Sequence, residues 1–188
     1  MTLLDAMTRR RTAGAKNLNE PGPSRTELEQ ILKAGAAAPD HGLLVPFRFV
    51  EVPGEARGKL SEAFVDAVKE AFANPDQAEF DKARAKGARG PCLIALIARI
   101  DPAQVKIPAS DQWLTVGGVL QNMVLAAESL GFGVAISSGG ALESQAMRKL
   151  FALAPNEYLV SFLMLGKAAA MPPPRRKPEL SQILTTLS

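Results

Sequence analysis

The residue types most often used in metal or nucleophilic catalysis are scarce in this chain of 188 residues, which has one histidine and one cysteine. With only His41 and Cys92 there is no Cys/His cluster, and no HExxH sequence occurs, so metal catalysis is nearly excluded. The GxSxG and GxxxxGK[ST] sequences are absent, and Gly131-Phe132-Gly133 lacks the third glycine of a dinucleotide fingerprint. An enzyme with this sequence therefore needs a bound organic cofactor to supply its reaction.

Two short basic runs are the best candidates for binding an anionic ligand. Arg9-Arg10-Arg11-Thr12 follows the first predicted helix, and Arg175-Arg176-Lys177 lies in a proline-rich segment near the C-terminus. Arginines bind phosphate through paired hydrogen bonds. However, cations are also favourable beside the carbonyl groups at a helix C-terminus, and a basic tail is often only solvated. The residues alone leave both interpretations open.

Two loops could present polar groups to a ligand. Ala38-Pro39-Asp40-His41 ends the second predicted helix, and Ile136-Ser137-Ser138-Gly139-Gly140 follows a predicted strand. A lone histidine is more often structural than catalytic, and a serine–glycine segment after a strand is often a plain turn. Neither loop is a site on its own evidence.

Composition indicates one domain of a soluble protein. Hydrophobic residues make up 47% and charged residues 22% of the chain, and the net charge is only +3. The basic residues do not alternate with aromatic ones, so we do not expect a nucleic-acid surface. There is no apolar run long enough to span a membrane and no secretory leader, and the single cysteine excludes an internal disulfide. We therefore predict a cytoplasmic protein that forms one domain over residues 1–188.

Hydrophobic periodicity predicts the elements that position these groups. We predict helices over about 2–9, from Ser24 to before Pro39, and over about 60–72, 77–86, 112–130 and 144–151. Ser24 and Glu27 form a capping box. Strands are predicted at about 47–52, 92–98, 132–138 and 158–165. The helix at 112–130 is apolar on nearly every side, which is typical of a core or an interface.

Several short motifs, in this order and spacing, resemble the nitroreductase family and its small YdjA-like subgroup. They are RRT near the N-terminus, EPGP before the capped helix, APDH followed by PFRF, GFG before the serine–glycine turn, and FLMLGK before the basic tail. The resemblance spans nearly the whole chain. It implies an α+β fold with a central antiparallel sheet flanked by helices, assembled as an intertwined homodimer with two FMN sites.

The resemblance also implies roles for particular residues. The FMN phosphate and ribityl oxygens would be held by Arg10, Arg11, Thr12, Arg176 and Arg175. The flavin ring would lie against Ile136, Ser137 and Ser138, and against Ala37 and His41 of the other subunit. A stretch associated with the nicotinamide substrate comprises Ala126, Ala127, Glu128, Ser129, Leu130 and Gly131.

The implied activity is FMN-dependent hydride transfer from NAD(P)H to a nitroaromatic, quinone or similar small organic acceptor, with ping-pong kinetics. No protein side chain is assigned a catalytic role, because the flavin does the chemistry. Alternatives are another flavin reaction on this scaffold, such as enone reduction, dehalogenation or flavin fragmentation, and a non-catalytic FMN-binding protein. Many family members carry a Ser-x-x-Asn-x-Gln-Pro sequence where this chain has residues 40–46, so amide contacts to the flavin are missing near His41.

Overall fold

The structure is a computed structural model that describes residues 2–174 and 176–187. The strands in this part of the chain form one antiparallel sheet. The last strand pairs with three others, and the second pairs with the third. Numbered in chain order, the strands are β1 (Leu18–Asn19), β2 (Phe47–Glu51), β3 (Cys92–Arg99), β4 (Gly133–Ser137) and β5 (Glu157–Ala168). β5 is therefore the strand that joins β1, β3 and β4.

Helices cover both faces of this sheet, so the predicted α+β class with a central antiparallel sheet is confirmed. Ser24 caps the second helix through the predicted exchange with Glu27, and that helix ends before Pro39. The helices are α1 (Leu3–Arg9), α2 (Arg25–Ala36), α3 (Arg57–Ala71), α4 (Gln77–Gly87), α5 (Ala109–Ser129), α6 (Gln145–Leu150) and α7 (Leu180–Ile183).

Two apolar layers lie on either side of the sheet because β3 is buried on both faces, as its continuous apolar sequence predicted. Leu93, Ala95 and Ile97 belong to the layer that holds residues of α3, α4 and α6. Ile94 and Leu96 belong to the layer that holds α2 and α5. The second layer is tightly packed: a Cβ at Gly35 of α2 would lie 2.6 Å from Met123 Cγ of α5.

The structure differs from the predictions at several elements. β5 extends to Ala168, three residues beyond the predicted end, and the short elements β1 and α7 were not predicted. The helix predicted at 112–130 begins at Ala109, and it is buried along one side only, since Leu114 is 75% exposed. α1 buries no residue. None of the described helices is long and apolar enough to cross a membrane.

Candidate active site

The arginine run lies where α1 ends and the chain turns along the sheet. Ala13 N–H donates to the Val134 carbonyl at 2.8 Å, which fixes the segment after α1 beside β4. Arg10 Nη1 donates to Thr12 Oγ1 at 3.0 Å. Arg11 Nη1 donates to the Pro172 carbonyl at 3.0 Å, across 161 positions of sequence. Folding thus brings the C-terminal segment to the arginines.

A groove of about 430 Å³ lies beside this run, between α1, the end of α5, the start of β4 and the end of β5. Arg9, Arg10, Arg11, Lys167 and Glu128 supply its charged side chains. A second hollow of about 340 Å³ is lined by the same three arginines together with Pro174 and Lys177. The two basic runs noted in the sequence therefore meet around the same arginines, and the surrounding charge favours an anion.

Within the groove, Lys167 and Glu128 are held in different ways. Lys167 Nζ lies 4.1 Å from the centre of the Phe132 ring and donates to the Gly131 carbonyl at 3.2 Å. Glu128 Oε1 is buried and has no hydrogen-bond partner among the described residues. Burial raises the pKa of the Glu128 carboxyl, although Arg10, the Arg11 backbone amide and the Arg11 guanidinium act in the opposite direction.

The serine–glycine segment lies at the far end of β4 from the groove. Ile136 and Ser138 are exposed, and Ser137 is half-buried. Gly139 has φ +119°, a conformation that is almost restricted to glycine, and a Cβ at Gly139 or Gly140 would touch no other residue. At about 3.4 Å per residue, the four steps from Gly133 to Ser137 span about 14 Å. An elongated ligand could therefore reach from the arginines to this open turn.

The His41 loop has an unusual backbone. Leu43 and Val45 adopt positive φ values of 55° and 49°, although neither is a glycine. Asp40 Oδ2 accepts the Val45 N–H at 2.7 Å and stabilises the turn. His41 is exposed, and its Nδ1 lies 3.0 Å from Asp111 Oδ2 at the start of α5. Loop strain of this kind is common at ligand sites.

The predicted contacts do not all meet within one chain. His41 contacts Asp111 near the start of α5, whereas Glu128 lies near its end, next to Arg10. Seventeen residues at about 1.5 Å each place the two ends about 26 Å apart. The structure thus groups Arg10, Arg11 and Thr12 with β4 and leaves His41 at the opposite end of α5, whereas Ala37 precedes Ala38, which packs against Gly118 near the middle of that helix.

The stretch predicted to contact nicotinamide, residues 126–131, lies at the arginine end of β4. Glu128 and Gly131 line the groove, whereas Ala127 is completely buried and Ser129 Oγ donates back to the Ala126 carbonyl. Arg176 is exposed in the C-terminal segment, and the predicted ligand Arg175 lies outside the described residues.

Comparison with known proteins identifies the family. The model of the nitroreductase family matches residues 7–167. The chain belongs to the nitroreductase family. It is 33% identical over 166 residues to Escherichia coli (strain K12) YdjA, which is provisionally named an NAD(P)H nitroreductase, and the match covers 88% of each chain.

Solved nitroreductase structures show the same fold. A nitroreductase-like protein from Bacillus cereus superposes with a TM-score of 0.84 at 18% identity, covering 100% of this chain and 96% of that one. A Desulfitobacterium hafniense nitroreductase with bound FMN superposes with a TM-score of 0.69 at 19% identity, covering 100% of both chains. The predicted family and fold are therefore confirmed.

Within this nitroreductase, sequence reasoning missed two groups near the predicted site. Lys167 belongs to the FLMLGK motif, but nothing in its spacing indicates that it lines the same groove as Arg9. Asp111, the partner of His41, is 70 positions away in sequence. A local pattern cannot reveal either contact, because both depend on how distant segments pack.

Proposed function

We propose that this nitroreductase is an FMN-dependent NAD(P)H oxidoreductase that acts as a homodimer on small organic acceptors such as nitroaromatics and quinones. The main support for this proposal is that Arg10, Arg11 and the C-terminal segment lie close together beside β4. Relatives named for NAD(P)H and a structural neighbour with bound FMN support it.

The residues present fit FMN. Arg10 and Arg11, with Arg176 from the C-terminal segment, offer guanidinium groups to the phosphate. Thr12 Oγ1, already bonded to Arg10, would contact the phosphate or ribityl oxygens. At the other end of β4, the open turn at Gly139 leaves room for a flat ring against Ile136, Ser137 and Ser138.

In this proposal the bound FMN supplies hydride and electron transfer, and the protein supplies binding and orientation. No side chain of the chain is assigned an acid or base role. The turn that would receive the ring is exposed, so a hydride donor and an acceptor would use the same open face in succession. Ping-pong kinetics follow from that shared position. Residues 126–131, at the phosphate end of β4, would contact a part of the donor remote from its nicotinamide ring.

A homodimer would cover apolar side chains that are exposed in a single chain. On α1, Leu3, Leu4 and Met7 are each at least 47% exposed, and Leu114 on α5 is also exposed. The C-terminal segment exposes Leu180, Ile183, Leu184 and Leu187 in the same way. Apolar area of this extent is typical of an interface between subunits. His41 lies at the opposite end of α5 from the chain's own arginines, about 26 Å along the helix. It would therefore contact the flavin bound to the partner, together with Ala37 of the same subunit.

The test of the cofactor is the spectrum of the purified protein with added FMN. Bound FMN should give flavin absorbance that bleaches anaerobically with NADH or NADPH and returns when nitrobenzene or a quinone is added. Protein that gains no flavin spectrum would overturn the proposal. Protein that binds FMN and is never bleached by either donor would be a passive binder.

Arg10→Ala tests the phosphate contact. Loss of a charge-assisted pair should weaken FMN binding by about 10- to 100-fold, measured by equilibrium fluorescence quenching. Arg25→Ala is the matched control, because Arg25 is exposed and pairs with Glu29 and Glu51 on another surface. Equal FMN affinity in the two variants would reject the assigned role of Arg10.

Sedimentation velocity tests the dimer. We expect a dimer at micromolar concentration, and Leu4→Glu together with Leu114→Glu should shift it toward monomer because both side chains are exposed in one chain. FMN affinity should fall with dissociation. A monomer that keeps full FMN affinity would contradict the contribution of Ala37 and His41 from the partner.

A further inference from the structure

Glu128 is the one carboxylate among the groove's charged side chains in the described part of the chain, and the FMN contacts proposed above give it no role. It lines the groove together with Arg10, Arg11 and Lys167. A negative charge at this position attracts the arginines but repels any anion that they bind. The position of Glu128 therefore affects how strongly the groove can hold a phosphate.

The Glu128 carboxyl has only the Arg11 backbone amide as a hydrogen-bond donor that lowers its pKa, which is little for a buried charged group. Its Oε1 is buried and accepts no hydrogen bond from the described residues. None of the ion pairs within 4.0 Å in the described structure includes Glu128. Buried carboxylates normally need several hydrogen bonds to remain ionised at low cost. Glu128 is thus easier to protonate than an exposed glutamate, consistent with the upward shift of its pKa.

Positive groups line the groove with Glu128 from α1, from the segment after it and from β5, whereas the β4 residues in the groove are uncharged. Arg9 ends α1, Arg10 and Arg11 follow it, and Lys167 lies on β5. Of these, Arg10 and Arg11 favour the ionised carboxylate. A phosphate dianion bound by Arg10 and Arg11 would neutralise part of that charge and add a repulsion of its own. Both effects favour the protonated form of Glu128.

We infer that Glu128 is a proton-linked part of the anion site: a phosphate bound by Arg10 and Arg11 causes Glu128 to take up a proton from solvent. The inference rests on the proposed phosphate site. The ionised carboxylate weakens phosphate binding, and the protonated carboxyl does not. Binding of the phosphate group therefore takes up protons, and FMN affinity falls as pH rises through the pKa of Glu128.

The test compares wild type with Glu128→Gln, which keeps the shape of the side chain and removes the charge. Titration calorimetry at pH 7, in two buffers of different ionisation enthalpy, gives FMN affinity and the number of protons taken up. At this pH the phosphate is mostly a dianion, since its second pKa is about 6. We expect Glu128→Gln to bind FMN more tightly, on the order of 3- to 10-fold, and to take up fewer protons.

Two controls separate the explanations. Riboflavin lacks the phosphate, so its affinity should be the same in wild type and Glu128→Gln. Glu55→Gln removes an exposed carboxylate from a turn before α3 and should leave FMN binding unchanged. If Glu128→Gln folds poorly, proton uptake by the wild type with FMN and with riboflavin still provides the comparison.

The outcomes distinguish this inference from the proposed function. Weaker FMN binding in Glu128→Gln would mean that the carboxylate positions the arginines, and it would overturn the inference. Equal proton uptake with FMN and riboflavin would also overturn it while leaving the FMN site intact. Failure of the wild type to bind FMN at all would overturn the proposed function itself.

Discussion

Glu157 and Glu128 both lie close to two arginines, yet their pKa values move in opposite directions. Glu157 accepts from Arg48 Nε at 2.7 Å and Nη2 at 2.8 Å, from Arg99 Nε at 3.0 Å and from the Ala154 backbone at 3.2 Å. These bonds, led by that to Arg48, lower the pKa of Glu157 to about 2 although the residue is buried. Hydrogen bonds, not nearby charge alone, keep a buried carboxylate ionised.

Glu128 has far fewer such bonds: the Arg11 backbone amide acts on its carboxyl, but Oε1 has no partner among the described residues. Its neighbours Arg10 and Arg11 have positive charge, but burial dominates and the pKa rises. Arg10 is bonded to Thr12 and Arg11 to the Pro172 carbonyl, and neither guanidinium makes an ion pair within 4.0 Å with Glu128. Glu157 therefore has a structural role with its hydrogen bonds satisfied, whereas Glu128 lines a groove that is open to a ligand.

Glu157→Gln should have the largest effect on stability. It leaves Arg48 and Arg99 without their anionic partner at the start of β5, and breaking a buried pair in this way costs about 3–5 kcal/mol. Urea unfolding followed by circular dichroism measures the loss. A loss below about 1 kcal/mol would show that Glu157 is no more structural than an exposed residue.

Acid should remove a slightly smaller amount of stability from the wild type. The pKa of Glu157 is lower in the folded chain than its ordinary value of 4.5, so its contribution is complete above pH 4.5 and is lost as pH falls toward about 2. The total is on the order of 3 kcal/mol. Urea midpoints measured from pH 6 to pH 2 should fall through this window. Glu157→Gln should lack that part of the decline, and a parallel decline in the variant would contradict the assignment.

Glu128→Gln should have the smallest effect on folding. Its carboxylate forms no hydrogen bond through Oε1 with the described residues, and the charged form is already disfavoured, so the free energy of unfolding should change by less than about 1 kcal/mol. The same urea titration, at pH 7 without FMN, measures it. A loss of unfolding free energy equal to that of Glu157→Gln would show that the two carboxylates stabilise the fold equally, which would contradict the difference proposed between them.

The elements of the fold could be predicted from sequence to the extent that they depend on local pattern. The Ser24–Glu27 capping box, the helix end before Pro39 and the doubly buried β3 all follow from short-range rules, and the structure confirms them. β1 could not be predicted, because two residues have no periodicity and the strand exists only through its pairing with Lys167 and Ala168. The exposed side of α5 could not be predicted either, since an apolar sequence does not show which side of the helix packs on the sheet.

The candidate site could be predicted only in part. The arginine run is visible in the sequence, and the resemblance to the family assigns it a partner in the C-terminal segment. Three features of the site can be seen only in the folded chain. They are the contact between Arg11 and Pro172, the position of Lys167 in the same groove as Arg9, and the lack of a hydrogen-bond partner for Glu128 Oε1 among the described residues. The roles of Ala37, His41, Ile136, Ser137 and Ser138 in flavin binding stay predictions, as does the cytoplasmic location.

The position of β5 in the sheet has a consequence for how the protein is made. Of the sheet's strand pairs in the described residues, β2 with β3 is the one that does not include β5, and β5 ends at Ala168. A nascent chain emerging from the ribosome cannot close either apolar layer until this late strand is synthesised. The apolar residues of β3 and α5 therefore remain available to chaperones, and to aggregation, until β5 has emerged.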